Sequence, residues 1–122
     1  FRFERDFAKE DDLYYNVLGL NDDSEFVFIN NLYNEGRNCK LMRPENYNLP
    51  AVELQYIDGY TLFDWCKVFE KAKSVYTINT SLNYIIDVLD TSYENYVVVA
   101  HNEKNMTEID YLFSTPHTLI CK

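Results

Sequence analysis

The sequence predicts an α/β protein, a small Rossmann-like three-layer α/β/α sandwich around a mainly parallel sheet of about four to five strands. Three observations carry this expectation. Short, almost wholly apolar runs at residues 25–29, 74–79 and 96–100 read as strands buried on both faces. Apolar stripes at helical spacing separate the later runs: Leu62, Trp65, Phe69 and Ala72, then Leu82, Ile85, Ile86 and Leu89. Helices alternating with apolar strands imply crossovers of one hand and a parallel sheet covered on both faces.

The first element expected is a helix over residues 2–18, where Phe3, Phe7, Tyr14, Val17 and Leu18 recur among charges. Gly19 is placed to end it in a left-handed cap, and residues 21–24 form a turn cluster. Residues 30–50 are the least regular part, rich in Asn and interrupted by Gly36, Pro44 and Pro50. A short strand or hairpin is expected near residues 39–42, with loop around it. Residues 52–56 alternate apolar with polar, as a strand nearer a sheet edge does.

A turn at Asp58-Gly59-Tyr60 leads to Thr61-x-x-Asp64, a capping-box spacing in which Asp64 replaces the usual Glu. Lys71 and Lys73 favour the negative end of the helix that follows. After the strand at residues 74–79, Thr80 or Ser81 caps the next helix, and residues 90–92 end it. The tail carries Tyr111-Leu112-Phe113 and an apolar run at residues 118–121 that reads as a last short strand. The organisation expected is one domain over residues 1–122: an N-terminal helix 2–18, a core 25–102 and an extension 103–122. The chain begins at Phe1, as a fragment or trimmed chain would.

Composition narrows the function. Twenty acidic against 11 basic residues give a net charge of −9, a field that repels phosphate backbones and anionic membranes. General nucleic-acid binding is therefore disfavoured. Arg37, Lys40 and Arg43 still form a local basic spot suited to one small anion. Eleven Tyr and 8 Phe fit a small core with half-wet edges, or a surface meant for another protein. Cys39, Cys66 and Cys121 lack CxxC spacing and read as neither a disulfide framework nor a zinc site; Cys66 falls in an apolar stripe as a core residue. No run approaches a membrane span and no signal-peptide pattern opens the chain, so a cytoplasmic location is expected.

In parallel α/β sheets, ligands bind beyond the carboxyl ends of the strands. The rule points to Asn30-Asn31, to residues 57–61, to Asn79-Thr80-Ser81 and to His101-Asn102. A helix start bearing two hydroxyls is a ready site for a phosphate or diphosphate, although Thr80 and Ser81 also suffice as simple caps. His101 stands where an acid/base or substrate contact would, with no carboxylate partner evident in sequence, and His117 reads as loop. Arg37 with Lys40 can clamp an anion. Asp11-Asp12 and Asp22-Asp23 read as a solvated helix face and a turn. No Walker loop, GxGxxG, nucleophile elbow or metal-ligand spacing is present, so no metal or cofactor is expected and the catalytic residues stay unassigned.

Leu62-Phe63-Asp64-Trp65 and the run from Phe69 to Leu82, with Arg5-Asp6-Phe7-x-x-Glu10 leading to Leu13-Tyr14, resemble the C-terminal half of GT-B glycosyltransferases. The nearest likeness is to fucosyltransferase-like or uncharacterised bacterial and phage sugar transferases, over about residues 3–102. The resemblance implies a domain that binds a nucleotide sugar. It matches Thr80 and Ser81 to the hydroxyl pair at the donor diphosphate, and Asn30 and Arg37 to polar and basic residues after the first strand. Such enzymes work in a cleft between two halves, and 122 residues supply one. At most part of a glycosyltransferase is expected, inactive alone and completed by a partner domain or a second copy. The alternative is a non-catalytic interaction module that keeps the fold, as a homodimer. A phosphotransfer or flavodoxin-like signalling domain ranks third, since neither its acidic cluster nor a phosphate-binding first loop is evident.

Overall fold

The computed structural model describes residues 3–30, 48–78, 81–100 and 118–121. A helix α1 (Phe7–Asp11) continues into a wider turn, Asp12–Val17. Five strands follow: β1 (Val27–Asn30), β2 (Ala51–Glu53), β3 (Ser74–Ile78), β4 (Asn95–Ala100) and β5 (Thr118–Cys121). A 3-10 turn (Leu62–Trp65) runs into α2 (Cys66–Lys71) before β3, and α3 (Leu82–Val88) lies between β3 and β4.

All five strands are parallel, in the order β2-β1-β3-β4-β5. The small Rossmann-like α/β fold expected from the sequence is the fold observed. β1 and β3 lie inside the sheet, and every residue of both is buried. That explains their unbroken apolar runs, because neither face meets water. β2 ends the sheet on one side, and its half-exposed pattern fits the edge position expected of it.

From β2 the chain crosses β1 to reach β3, then steps to β4 and β5 in the same direction. Successive crossovers of one hand and one direction put their helices on one face. Accordingly α2 and α3 share a core with the helix-side residues of the sheet: Trp65, Val68 and Phe69 from one side, Leu82, Ile85 and Ile86 from the other, against Phe28, Val75 and Val98. Removing such side chains from water contributes roughly 1.5–3 kcal/mol each. The other face, built on Val27, Ile29, Tyr76, Ile78 and Val99, is buried too, with Leu49 and Val97 packed against it. The described helices all belong to the first layer, and the second helical layer expected falls on no described residue.

The N-terminal helix is shorter than the apolar spacing suggested. It begins at Phe7 rather than at residue 2, because Asp6 adopts an extended backbone and its carboxylate accepts the Lys9 N–H at 3.1 Å, a true N-cap. Phe3 belongs to the lead-in and stacks on Phe63, ring centres 4.9 Å apart. At the other end the Leu18 N–H reaches the Leu13 carbonyl, an i→i+5 bond at 2.9 Å, and the Leu20 N–H reaches Tyr14. Gly19 closes this end at φ +69°, the left-handed cap expected of it.

Charge fastens this helix to α2. The Arg5 guanidinium spans the Glu10 carboxylate at 2.5 Å and the Glu70 carboxylate at 2.6 Å, and Glu10 is buried. Lys67 pairs with Asp11 at 2.8 Å and lies over the Tyr15 ring. Asp11 and Asp12 stay exposed, as expected, yet both are engaged: Asp12 accepts the Tyr60 hydroxyl. The expected Thr61–Asp64 capping box is present, with the Thr61 N–H donating to Asp64 Oδ2 at 2.8 Å. Observed strands differ from the expected ones by up to three residues at an end: β1 extends to Asn30, β2 stops at Glu53, and β4 starts at Asn95. The strand expected near residues 39–42 lies outside the described residues. Among the described residues, no helix is long and apolar enough to cross a membrane.

Candidate functional site

Because every strand runs the same way, Asn30, Ile78 and Ala100 close their strands on one edge of the sheet. From β1 the chain goes to β2 on one side, whereas every later crossover travels to the other. The carboxyl ends of β1 and β3 therefore flank the topological switch point, the place where sheets of this kind generally bind ligands. Two of the sequence candidates, Asn30 and Ser81, belong to the elements at this point: Asn30 ends β1, and Ser81 precedes α3, the helix that follows β3. Asn30 stands opposite Thr77 in the strand register.

Asn30 is fully buried, and its Nδ2 donates to Thr77 Oγ1 at 3.0 Å. The Thr77 hydroxyl in turn donates to the Ile78 carbonyl at 2.8 Å. The same carbonyl accepts from Asn83 Nδ2, on the first turn of α3, at 3.4 Å. Asn83 Oδ1 accepts the Tyr96 hydroxyl from β4 at 2.6 Å. A continuous chain of polar groups thus runs Asn30, Thr77, Ile78, Asn83, Tyr96 beneath the carboxyl edge. Its side chains are at most 5% exposed. Burial pushes the Tyr96 hydroxyl well above the usual tyrosine range, so it stays a neutral donor.

Sequence reasoning singled out Asn30 as a ligand contact rather than as a link in this chain, and missed the rest. Thr77 sits within an apolar strand, and Asn83 beside the apolar stripe of α3 looks like a solvated position. The only sequence signal was a poor helix former at the second position of a helix.

Ser81 occupies the N-cap position of α3, but its side chain makes no cap hydrogen bond and its backbone is already helical at φ −59° and ψ −22°. For Ser81 this corrects the expected capping role, while the other expected cap, Thr80, lies outside the described residues. The backbone carbonyl does that work, accepting the Tyr84 N–H at 3.1 Å, and the exposed hydroxyl is left for other partners. With seven residues, α3 has too little aligned dipole for its N-terminus alone to hold an anion. Asn79, Thr80, Arg37 and His101 lie outside the described residues, as do Asn31, Lys40, Asn102 and His117.

An open hollow of about 470 Å3 borders β2 and its continuation, lined by Ala51, Glu53, Leu54 and Gln55. Its polar side chains suit hydroxyl groups better than phosphate. Among the described residues no group of three or more His, Cys, Asp or Glu could hold a metal ion. Compared with known proteins, the chain matches no family model, no curated protein and no solved structure.

Proposed function

We propose that this chain is a nucleotide-sugar-binding domain, a nucleoside-diphosphate binder resembling half of a GT-B glycosyltransferase and not catalytic alone. The observation that carries the reading is the strand order, whose switch point falls between β1 and β3. Sheets of this kind bind nucleotides and other phosphate-bearing ligands at that point. The exposed Ser81 hydroxyl at the start of the helix after β3, and the sequence resemblance around residues 62–82, support this ligand class. The net charge of −9 disfavours polyanions but leaves a single diphosphate bound by local donors. Glu53 and Gln55 at the neighbouring hollow supply acceptors for sugar hydroxyls.

The test is thermal unfolding of the full chain with GDP-, UDP- and ADP-sugars. A ligand at 100 times its Kd stabilises the fold by about 2.7 kcal/mol, a shift of several degrees in a protein this size. Replacing Thr80 and Ser81 with Ala removes that shift. A flat midpoint across all three nucleotide classes overturns the proposal.

A second reading, a non-catalytic interaction module, is favoured by the aromatic surface where the N-terminal segment meets the 3-10 turn. Phe7 is 63% exposed and Phe63 40%, with Phe3 stacked on the latter. A stable dimer in sizing chromatography, together with no nucleotide-dependent shift, selects this reading.

A further inference from the structure

The polar chain under the carboxyl edge has a cost that its position has to justify. Four polar side chains that an apolar core could replace are taken out of water, and such groups are tolerated only where each finds a partner. Asn83 is the least economical of them. A Leu there would bury more apolar area and favour the helix, whereas Asn competes with helical backbone. What the chain achieves is connection. It joins β1, β3, α3 and β4, and it meets at the Ile78 carbonyl, the last group of β3 before the turn into α3. Apolar packing sets spacing but no orientation, while a run of directed hydrogen bonds fixes one arrangement of the elements it links.

We propose that the chain Asn30–Thr77–Ile78–Asn83–Tyr96 positions the β3–α3 corner against the end of β1, so that Asn83 and Tyr96 are positioning residues for the ligand edge. The inference rests on the nucleotide-binding reading above, and neither residue touches the ligand. Tyr93 supplies an internal comparison. Its ring packs edge-on against Tyr96 at 5.4 Å, but its hydroxyl donates to the Phe69 carbonyl of α2, away from the corner. Tyr93→Phe therefore deletes a similar hydrogen bond from the same aromatic pair without touching the chain.

Two readouts on the full-length chain test the proposal: Kd for UDP and GDP, and amide hydrogen exchange. Tyr96→Phe is expected to raise the Kd of whichever nucleotide binds about tenfold, a change equivalent to about 1.4 kcal/mol. Its exchange should accelerate at Asn83, Tyr84 and Ile85 more than at Val98 and Val99. Tyr93→Phe should change Kd by less than twofold and leave α3 exchange as in the wild type. The double variant Tyr96→Phe with Asn83→Leu replaces both ends of that hydrogen bond by apolar groups and leaves the Ile78 carbonyl its Thr77 donor, which limits the loss of stability; it should keep the weakened Kd. This variant also carries the test if Tyr96→Phe alone does not fold.

Uniform or absent acceleration in Tyr96→Phe overturns the positioning role, whether or not nucleotides bind. Unchanged affinity in Tyr96→Phe, or equal weakening in Tyr93→Phe, overturns it as well. Localised acceleration in Tyr96→Phe, when the wild type binds neither UDP nor GDP and shows no thermal shift with any of the three nucleotide sugars, overturns the nucleotide reading, and with it the ligand role of the corner.

Discussion

Cys66 shows how burial decides the chemistry of one side chain. It is fully enclosed between α2 and the sheet, and burial pushes its thiol up to about 12, with the Glu10 carboxylate adding to the effect. The thiolate is the reactive form, so at pH 8 almost none is present and no reagent can reach it. Iodoacetamide followed by peptide mapping should leave Cys66 unmodified in native buffer and modify it fully in denaturant. Substantial native labelling would contradict the packing described. Asp12 is the opposite case, an exposed carboxylate held below its usual range by the Tyr60 hydroxyl and then by Asn16. Its lowered value means that the stabilising contact is present above the ordinary pKa of 3.8 and is lost as pH falls through the native value. Tyr60 is raised above 10 first by the same bond, so its contribution is present below pH 10 and fades as pH rises past the native value. Tyr60→Phe should move the Asp12 titration, followed by carboxyl NMR, up toward the ordinary carboxylate range, with the Asn16 bond still in place. An unmoved Asp12 would show that the hydroxyl is not its main partner.

At the scale of elements, the N-terminal helix depends on one guanidinium. Arg5 is the cation bridging buried Glu10 and half-exposed Glu70, and without it the buried Glu10 side chain loses the guanidinium that holds both its oxygens. Arg5→Met preserves length and much of the packing against Phe7 while removing that charge. The expected loss is about 2 kcal/mol, below the figure for a fully buried pair because Arg5 is partly solvated. Urea unfolding should show a lower midpoint at unchanged slope. A loss within 0.5 kcal/mol, roughly the size of an ordinary surface change, would place this helix among weakly held surface elements. The same region marks where sequence stops being legible. The periodicity of Phe3, Phe7 and Tyr14 announced a helix, but its start was set by the Asp6 cap, a choice of backbone conformation that apolar spacing does not encode. The burial of Glu10 was equally hidden, since a carboxylate next to Asp11 and Asp12 reads as solvated until its partner from another element is known. Local signals fared better: the Gly19 cap and the Thr61–Asp64 box each involve residues close in sequence. At the candidate site Asn30 could be read from its place after an apolar run, whereas Thr77 and Asn83 could not, because their roles exist only once β1, β3, α3 and β4 are assembled.

At the scale of the whole molecule, strand order sets a gradient of stability as well as the position of the switch point. β3 sits at the centre of the five strands, hydrogen-bonded on both sides, with all five of its residues buried. Opening it breaks two ladders and exposes both faces of the sheet, so its amides should exchange only through global unfolding. β2 is three residues long, paired on one side to β1, with exposed residues at both ends. It can fray at the cost of a few hydrogen bonds. Native-state exchange across a urea series should therefore give β3 and the β3-facing amides of β1 a steep urea dependence, and β2 a flat one at lower free energy. The corner at the end of β3 belongs to the same test. If the polar chain from Asn30 to Tyr96 ties it to the central strands, the first turn of α3 exchanges with β3 rather than with β2. An α3 start that opens with the low-energy class would mean that the carboxyl edge moves independently of the sheet that supports it, and under the proposed nucleotide reading the site would then have to form on binding.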